Sequence, residues 1–538
     1  MPNPRMTFSL LRIPTFRMMW LGSIISHLGI WIHMVAAAWM MTSLTESKTL
    51  VAMVQSSLAL PVMCLALISG VMADSFERRY IMIAAQIFGL ATSLALIALT
   101  LFGLISAWSL LMLSMLVGAG MALNLPAWQT SIIQFVGKDN LSSAVSLNSI
   151  GVNLTRSAGP AIGGIIVAMA GAIFAFALNA LCYIPLLVTL LFWKQPAAEK
   201  SLPREPFGRA IAAGVRYVTM APNLQRVMLR GFIFGLSAIA MQALLPLVVR
   251  QELNASALWY GLLFGCFGGG AVAGALAVVR LRDLYPGEFL VRGAFCLLAI
   301  GTLLIVLPAN IYAAGLGAIF GGVGWVTALN IFNVTVQLSS PRWVVGRTYA
   351  LYQTCNFGGM AVGSWLWGTI ADAFSTNTAL LCAVPFLCFG AVVGLRFPVP
   401  EYGRLNLDPL DEFREPRLLL ELDHSSGPVL ITIEYEIDTS DVEVFLEVMA
   451  DRRRMRIRDG AQNWTLLRDL EAPNHWSEQY HVPTWLDYLR HNQRRTKADA
   501  EIQGRLRALH RGQGSPTVRR QIERSTIPLR HKLPRVIE

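Results

Sequence analysis

The chain has 538 residues, of which 54% are hydrophobic and 14% charged, with a net charge of +11. Soluble domains carry roughly 25% charged residues, so this composition excludes a wholly soluble protein and puts most of the chain in lipid. The positive charge is no argument for nucleic acid, because the cations fall between alternate apolar runs and in the tail; the seven cysteines sit within apolar runs, without metal-ligand spacing, as expected of buried thiols.

Residues 1–17 carry Arg5, Arg12 and Arg17, which should hold the N-terminus in the cytoplasm. Without a short apolar core and a small-residue cleavage site ahead of it, the first apolar run is expected to stay in the membrane. Six runs long enough to span the hydrocarbon core lie near 18–44, 50–72, 80–102, 108–133, 142–170 and 172–193. Six more lie near 228–250, 257–279, 289–308, 310–336, 343–371 and 377–397. The connectors carrying Arg78 and Arg79, Lys138, the 194–226 segment, Arg280 with Arg282, Arg342 with Arg347, and Arg396 mark one side. Those near 103–107, 170–172, 308–310 and 372–377 have no lysine or arginine. This asymmetry predicts an even number of crossings, with both termini cytoplasmic.

The fifth run contains GVNLTRSAGPAIGG (151–164). Arg156 near the bilayer centre costs about 2.5–3.5 kcal/mol even on insertion scales, so it needs a reason to be there. Pro160 removes one helix hydrogen bond and frees the carbonyl of Arg156 itself. Gly159, Gly163 and Gly164 let a second backbone approach closely, and Gly151 stands one turn before Thr155 and two before Gly159. Two readings stay open: a helix contact with a bend, or a hinge beside a polar cavity. Arg156, with Asn153 on the same face, either binds an anionic or carbonyl-rich substrate or satisfies backbone carbonyls.

The segment 194–226 divides the spans six and six, giving halves 1–193 and 227–397. It opens with proline and charge, then GRAIAAGVRYVTM predicts a short amphipathic helix along the membrane surface. GAGMALNLPAW (118–128) echoes GGVGWVTALNIF (321–332) in the fourth span of each half, as expected of a transporter built from two repeats. Past a proline-rich linker, 398–427, the pattern changes to strands at 428–437, 463–470, 476–482 and 515–522, with helices at 439–455 and 483–510. That order predicts a ferredoxin-like sandwich over 428–538. The expected fold class is therefore an all-α polytopic membrane protein of twelve transmembrane helices in two six-helix halves, with a C-terminal α+β ferredoxin-like soluble domain.

Between the second and third runs, Gly70, Asp74, Arg78 and Arg79 stand as G-x-x-x-D-x-x-x-R-R. This resembles the signature loop of the major facilitator superfamily, GxxxD(R/K)xG(R/K)(R/K), with Ser75 in place of a base and Glu77 in place of glycine. Gly70 permits close helix contact, and Asp74 suits a positive helix N-terminus. The resemblance implies a cytoplasmic latch against the eleventh span, whose start carries Arg342 and Arg347. The fifth-span G-P-x-x-G-G is similar to the superfamily's antiporter motif. The wider run 125–164 resembles the branch of enterobactin exporters and transmembrane secretion effectors.

That resemblance implies a cavity lined by the first, fourth, seventh and tenth spans, which favours His27, Asn124, Gln242 and Asn330 as substrate contacts; Gln129 is a further polar candidate. His27 is either a proton carrier or an interhelical hydrogen bond. The tail resembles the dimeric α/β-barrel family that includes antibiotic-biosynthesis monooxygenases; a docking or dimerising module is preferred over an enzyme, because fold does not carry function. The expected function is export of a small organic molecule, a siderophore-like anion or a lipophilic drug, from the inner membrane by proton-coupled alternating access. The expected partners are that substrate, protons, membrane lipid and a second copy of the chain through the tail. No cofactor, metal or nucleic acid is expected, and no P-loop is present. A membrane-anchored enzyme or regulatory module acting through the tail is the alternative.

Overall fold

The computed structural model describes residues 10–136, 140–193, 207–307, 310–341, 343–401 and 422–523, together with 407, 410, 415–416 and 418–420. Its contacts divide the chain into two units. The first comprises Met1–Phe207, Gln225–Val336 and Tyr349–Glu401; the second comprises Gly208–Leu224, Gln337–Thr348 and Tyr402–Glu538.

The first six helices are α1 (Pro14–Leu44), α2 (Lys48–Ser75), α3 (Arg78–Leu101), α4 (Ala107–Val136), α5 (Leu141–Ala170) and α6 (Ala172–Phe192). A short helix, α7 (Phe207–Thr219), follows. Six long ones come next: α8 (Pro222–Leu247), α9 (Ala257–Leu284), α10 (Gly287–Val306), α11 (Ile311–Leu338), α12 (Val345–Ala373) and α13 (Thr376–Arg396). Local chemistry sets their ends. Pro14 opens α1, where a missing N–H costs nothing. The Ser47 and Ser375 side chains accept from Leu50 N and Thr378 N, capping α2 and α13. Pro246 sits near the end of α8, and the chain continues as a π-helical turn, Val248–Glu252.

Among the described residues, ten of the twelve long helices are long and apolar enough to cross a membrane. The two others are α5 and α12, 30 and 29 residues long, whose serines, threonines, asparagines and glycines dilute their apolar content. Both pack closely against neighbouring helices on their glycine-bearing sides. α5 lies against α1 and α9: a methyl on Gly163 would meet Ile32 Cα at 3.1 Å, and one on Gly164 would meet Gly261 Cα at 2.5 Å. α12 lies against α8 and α2, with Gly359 on the Phe232 carbonyl and Gly368 on Thr49. In each half, then, the fifth long helix is wedged between the first of its own half and the second of the other.

The 118–128 and 321–332 echo has a matching geometry. Gly118 packs on Leu58 of α2 and Gly120 on the Ala85 carbonyl of α3; Gly322 packs on the Phe267 carbonyl of α9 and Gly324 on the Ala294 carbonyl of α10. The same two-residue step thus seats the fourth helix on the second and third of its half, because only glycine admits a backbone that close.

The second unit holds a four-stranded antiparallel sheet of β1 (Val429–Glu436), β2 (Gln462–Arg468), β3 (His475–Val482) and β4 (Thr517–Ile522), in the order β2-β3-β1-β4. Alternation along β1 and β3 turns Ile431, Ile433, Tyr435 and Tyr480 to one buried face. That face packs on α14 (Val442–Asp459), α15 (Trp485–Gln493) and α16 (Lys497–Leu509) through Phe445, Val448, Leu489 and Leu506. The single helix expected over 483–510 is two. Thr496 forms a reciprocal capping box with Asp499, which stops one helix and starts the next.

α7 also belongs to this unit. Its Ala210, Ala213 and Tyr217 are buried, Tyr217 to 3% exposure, and the Arg458 guanidinium lies 5.4 Å over the Tyr217 ring. The Trp343 ring meets Tyr217 edge-on at 5.7 Å and carries the Arg494 guanidinium at 4.2 Å. The amphipathic stripe expected on the membrane surface is therefore covered by the tail and by the residues that precede α12.

Candidate functional site

The α1–α5–α9 seam holds the fifth-span motif. A methyl on Gly159 would meet Trp31 Cβ at 2.5 Å, one on Gly151 would meet Ile24, and one on Gly261 would sit 2.8 Å from the Pro160 carbonyl. Gly268 of α9 packs on Ser157 and on the carbonyl of Arg156, the one that Pro160 leaves without its helix donor. The Arg156 guanidinium lies 5.6 Å over the Trp31 ring, a cation–π placement, and its Nε is buried without a hydrogen-bond partner. Among the described residues no carboxylate lies within ion-pair distance of it. Backbone packing from α9 thus meets the freed carbonyl, and the arginine fork remains available.

The α2–α12 seam carries a hydrogen-bonded cluster that sequence reading missed. Asp372, at the end of α12, accepts hydrogen bonds from Ser47 Oγ at 2.9 Å, Lys48 N at 2.6 Å and Thr49 N at 2.9 Å, and from the Thr49 hydroxyl. A carboxylate from one half so caps the first turn of a helix in the other, where exposed N–H groups and the helix dipole favour negative charge. Beside it, Arg250 donates to Thr42 Oγ1 and Ser43 Oγ at 2.6 Å each and lies 5.7 Å over Trp39, tying the end of α8 to the end of α1. The signal was present: Gly368 and Asp372 repeat the G-x-x-x-D spacing of Gly70 and Asp74. Gly70 and Asp74 lie near the end of α2, whereas Gly368 and Asp372 lie near the end of α12 against the start of α2.

The first G-x-x-x-D is not a loop. Gly70 lies within α2, and only Phe76 and Glu77 separate α2 from α3. Close helix contact was expected at Gly70, but a methyl there would meet nothing within 4 Å, whereas one on Gly368 would meet Thr49 Cα at 2.7 Å. Arg79 donates to the Leu190 and Leu191 carbonyls at 2.9 and 2.7 Å, capping the end of α6, as a cation near a helix C-terminus should. Arg78 opens α3, and Arg347 packs on Gly214 of α7. Arg342 and the side chain of Asp74 lie outside the described residues.

The transmembrane secretion effector family model matches residues 5–526. The chain belongs to this family of major facilitator superfamily transporters. It is 27% identical over 381 residues to the enterobactin exporter EntS of Escherichia coli, covering 69% of this chain and 89% of that protein. The EntS of Salmonella typhimurium is 27% identical over 358 residues, with 66% and 85% covered. In fold the transporter resembles a bacterial homologue of the human lysosomal transporter Spinster in an inward-facing, unoccupied conformation, with TM-score 0.56, 13% identity, and 75% of this chain and all of that one covered. It also resembles a variant of the nucleoside transporter NupG, with TM-score 0.60, 11% identity and 71% coverage. Family membership makes the chain a multi-pass membrane transporter, not an enzyme.

The remaining polar candidates are dispersed. His27 and Asn124 come together, but in a 20 Å³ cavity shared with Gln86 of α3 and Tyr183 of α6, inside the first six-helix bundle. That volume holds about one water, too little for an organic substrate. His27 Nδ1 bonds to the Ser23 carbonyl at 2.7 Å, so its ring is held by its own helix. Trp128, which lines the same cavity, is buried to 1% exposure and donates to Asn148 Oδ1 at 3.1 Å. Gln129 is exposed and Asn330 half-buried; Gln242 is buried, with its Nε2 unpartnered. Asn153 lies on α5, one turn before Arg156. Sequence reading also missed Arg230, fully buried on α8, which donates to Glu288 Oε1 at 2.9 Å and to the Gly390 carbonyl. Glu288 accepts from Val399 N at 2.8 Å as well, so this pair fastens α8, α10 and the end of α13 within the second half.

Proposed function

We propose that this transporter exports a small organic molecule from the cytoplasm across the inner membrane by alternating access, with both termini cytoplasmic. The halves 1–193 and 227–397 rock on the α5–α9 and α2–α12 seams, one of which is latched while the other opens. Arg156 and Asn153 are proposed as substrate contacts. The observation that carries this reading is the partly unsatisfied Arg156 fork over Trp31, with no carboxylate in reach, on a helix that borders both halves. An arginine fork and an indole suit an anionic, ring-bearing substrate over a purely lipophilic one. A siderophore-like anion is therefore favoured, in keeping with the exporters to which the chain is similar. Proton exchange is proposed as the driving force. The 428–538 tail is proposed to be a ferredoxin-like docking module, because its sheet interleaves as a split βαβ unit and its helices cover α7. A second copy of the chain would sit on the other face of that sheet, which presents Glu434, Gln479 and Arg519.

Inverted membrane vesicles with an imposed proton gradient test the proposal. Labelled enterobactin is expected to accumulate inside, and a protonophore to abolish the uptake. Arg156→Ala should lower uptake at least about tenfold at equal protein level, while Arg156→Lys, which keeps the charge but loses the fork, should restore part of it. Uptake by Arg156→Ala equal to that of the parent would remove Arg156 from the substrate site. Equal uptake with and without the gradient would remove proton coupling.

A further inference from the structure

The tail contains a cavity of 740 Å³ between the sheet and its helices, within the range that holds drug-sized ligands. Its floor is apolar and buried, formed by Ile431, Ile433, Tyr435 and Tyr480. Five arginines line it. Arg452 and Arg456 at its base are already matched: both bond the buried Glu478, at 2.6 and 3.3 Å, and Glu478 also accepts from Tyr435 and Trp464. Arg495, Arg507 and Arg520 have no carboxylate within ion-pair distance among the described residues. Arg520 donates to the Tyr488 hydroxyl at 2.7 Å, and Arg507 and Arg520 are exposed at the mouth with Gln493 and Ser515. Arg495 faces the same space from the start of the α15–α16 break, and its Nε is buried without a hydrogen-bond partner.

A buried guanidinium nitrogen left unpaired costs free energy that an arriving anion would recover. Three guanidiniums without a carboxylate in ion-pair distance favour an anion, and the fork geometry selects carboxylate over a point charge. The flat apolar floor, together with planar phenol and guanidinium groups on the walls, selects a ring. We propose that this cavity binds an aromatic carboxylate, which makes the tail a ligand-binding module separate from the transport site. The residue beside Arg495 is Arg494, whose guanidinium rests on Trp343, so the occupied site adjoins the chain that leads into α12.

Calorimetric titration of the full-length protein in detergent with naphthoate, and with its neutral amide as control, tests the proposal. Naphthoate is expected to bind saturably and the amide at least about tenfold more weakly, with the difference shrinking as salt rises. The double variant Arg507→Gln/Arg520→Gln changes exposed side chains only, so it should fold; a tenfold or greater loss of naphthoate affinity is expected. Arg495→Gln should give a comparable loss. Equal binding of acid and amide, no saturable naphthoate binding, or full affinity in the double variant would each overturn it. So would loss of binding in Arg156→Ala with the tail variants unaffected, since that places the anion in the membrane.

Discussion

Two charged residues in the membrane part are kept for different physical reasons. Asp372 has four hydrogen-bond donors from the other half, so its charge is fully used. Arg156 has a ring over which it stacks but, among the described residues, no carboxylate within ion-pair distance. Sequence inspection found the second and missed the first, because Asp372 lies in a connector without lysine or arginine and its G-x-x-x-D spacing was read at only one of its two occurrences. In the tail the cluster of Glu478, Arg452, Arg456 and His491 is structural. Glu478, between Arg452 and Arg456, is held down to about 2 by the two guanidiniums despite its burial. His491 is pushed well below the ordinary histidine range, first by burial and then by Arg456, whose Nη1 lies 2.8 Å from its Nε2. Both folded values lie below the unfolded ones, so the stability they contribute is present at neutral pH and is lost on acidification. Loss through His491 begins below about pH 6.5 and through Glu478 below about pH 4.5. Limited proteolysis of the full chain across pH 7 to 4 should therefore show the tail opening first, and His491→Phe should shift that opening to lower pH. A tail equally resistant throughout would contradict these assignments.

At the scale of helices, the apolar runs showed where the long elements lie, because hydropathy and length are local properties. Their pairing was not legible in the same way. The glycines of α5 advertise a close neighbour, but only the folded chain identifies it as Gly261 of α9 on one side and α1 on the other. Likewise, the 483–510 pattern is amphipathic throughout, and the break at Thr496 turns on one capping box that the period does not reveal. The α5–α9 contact gives a direct prediction. Gly164→Leu places a branched side chain where a methyl would already lie 2.5 Å from Gly261 Cα. It should cut vesicle uptake at least about tenfold while the protein still inserts, because the halves would be held apart on that seam. Gly70→Ala, facing open space, should leave thermal stability unchanged, and a large loss there would mean that α2 packs differently at that end.

Over the whole molecule, one G-x-x-x-D site lies at the end of α2 and the other at the end of α12, where it meets the start of α2; the proposed rocking of two repeats would use both ends in turn. The sequence supports the family and the positions of the long helices. The Asp372 cap on α2 and the tail's contacts with α7 and Trp343 join residues more than a hundred positions apart, and no local pattern encodes them. The central claim is that α5 borders a passage open to one face at a time. A cysteine at position 156, introduced as Arg156→Cys into a background with the seven native cysteines replaced, tests it with a membrane-impermeant thiol reagent applied from each side. The account predicts labelling from the face bearing Gly70 when Asp372 is intact, and from the opposite face once Asp372→Asn weakens the charged cap. Protection from both sides in both backgrounds, or identical labelling in the two, would contradict it.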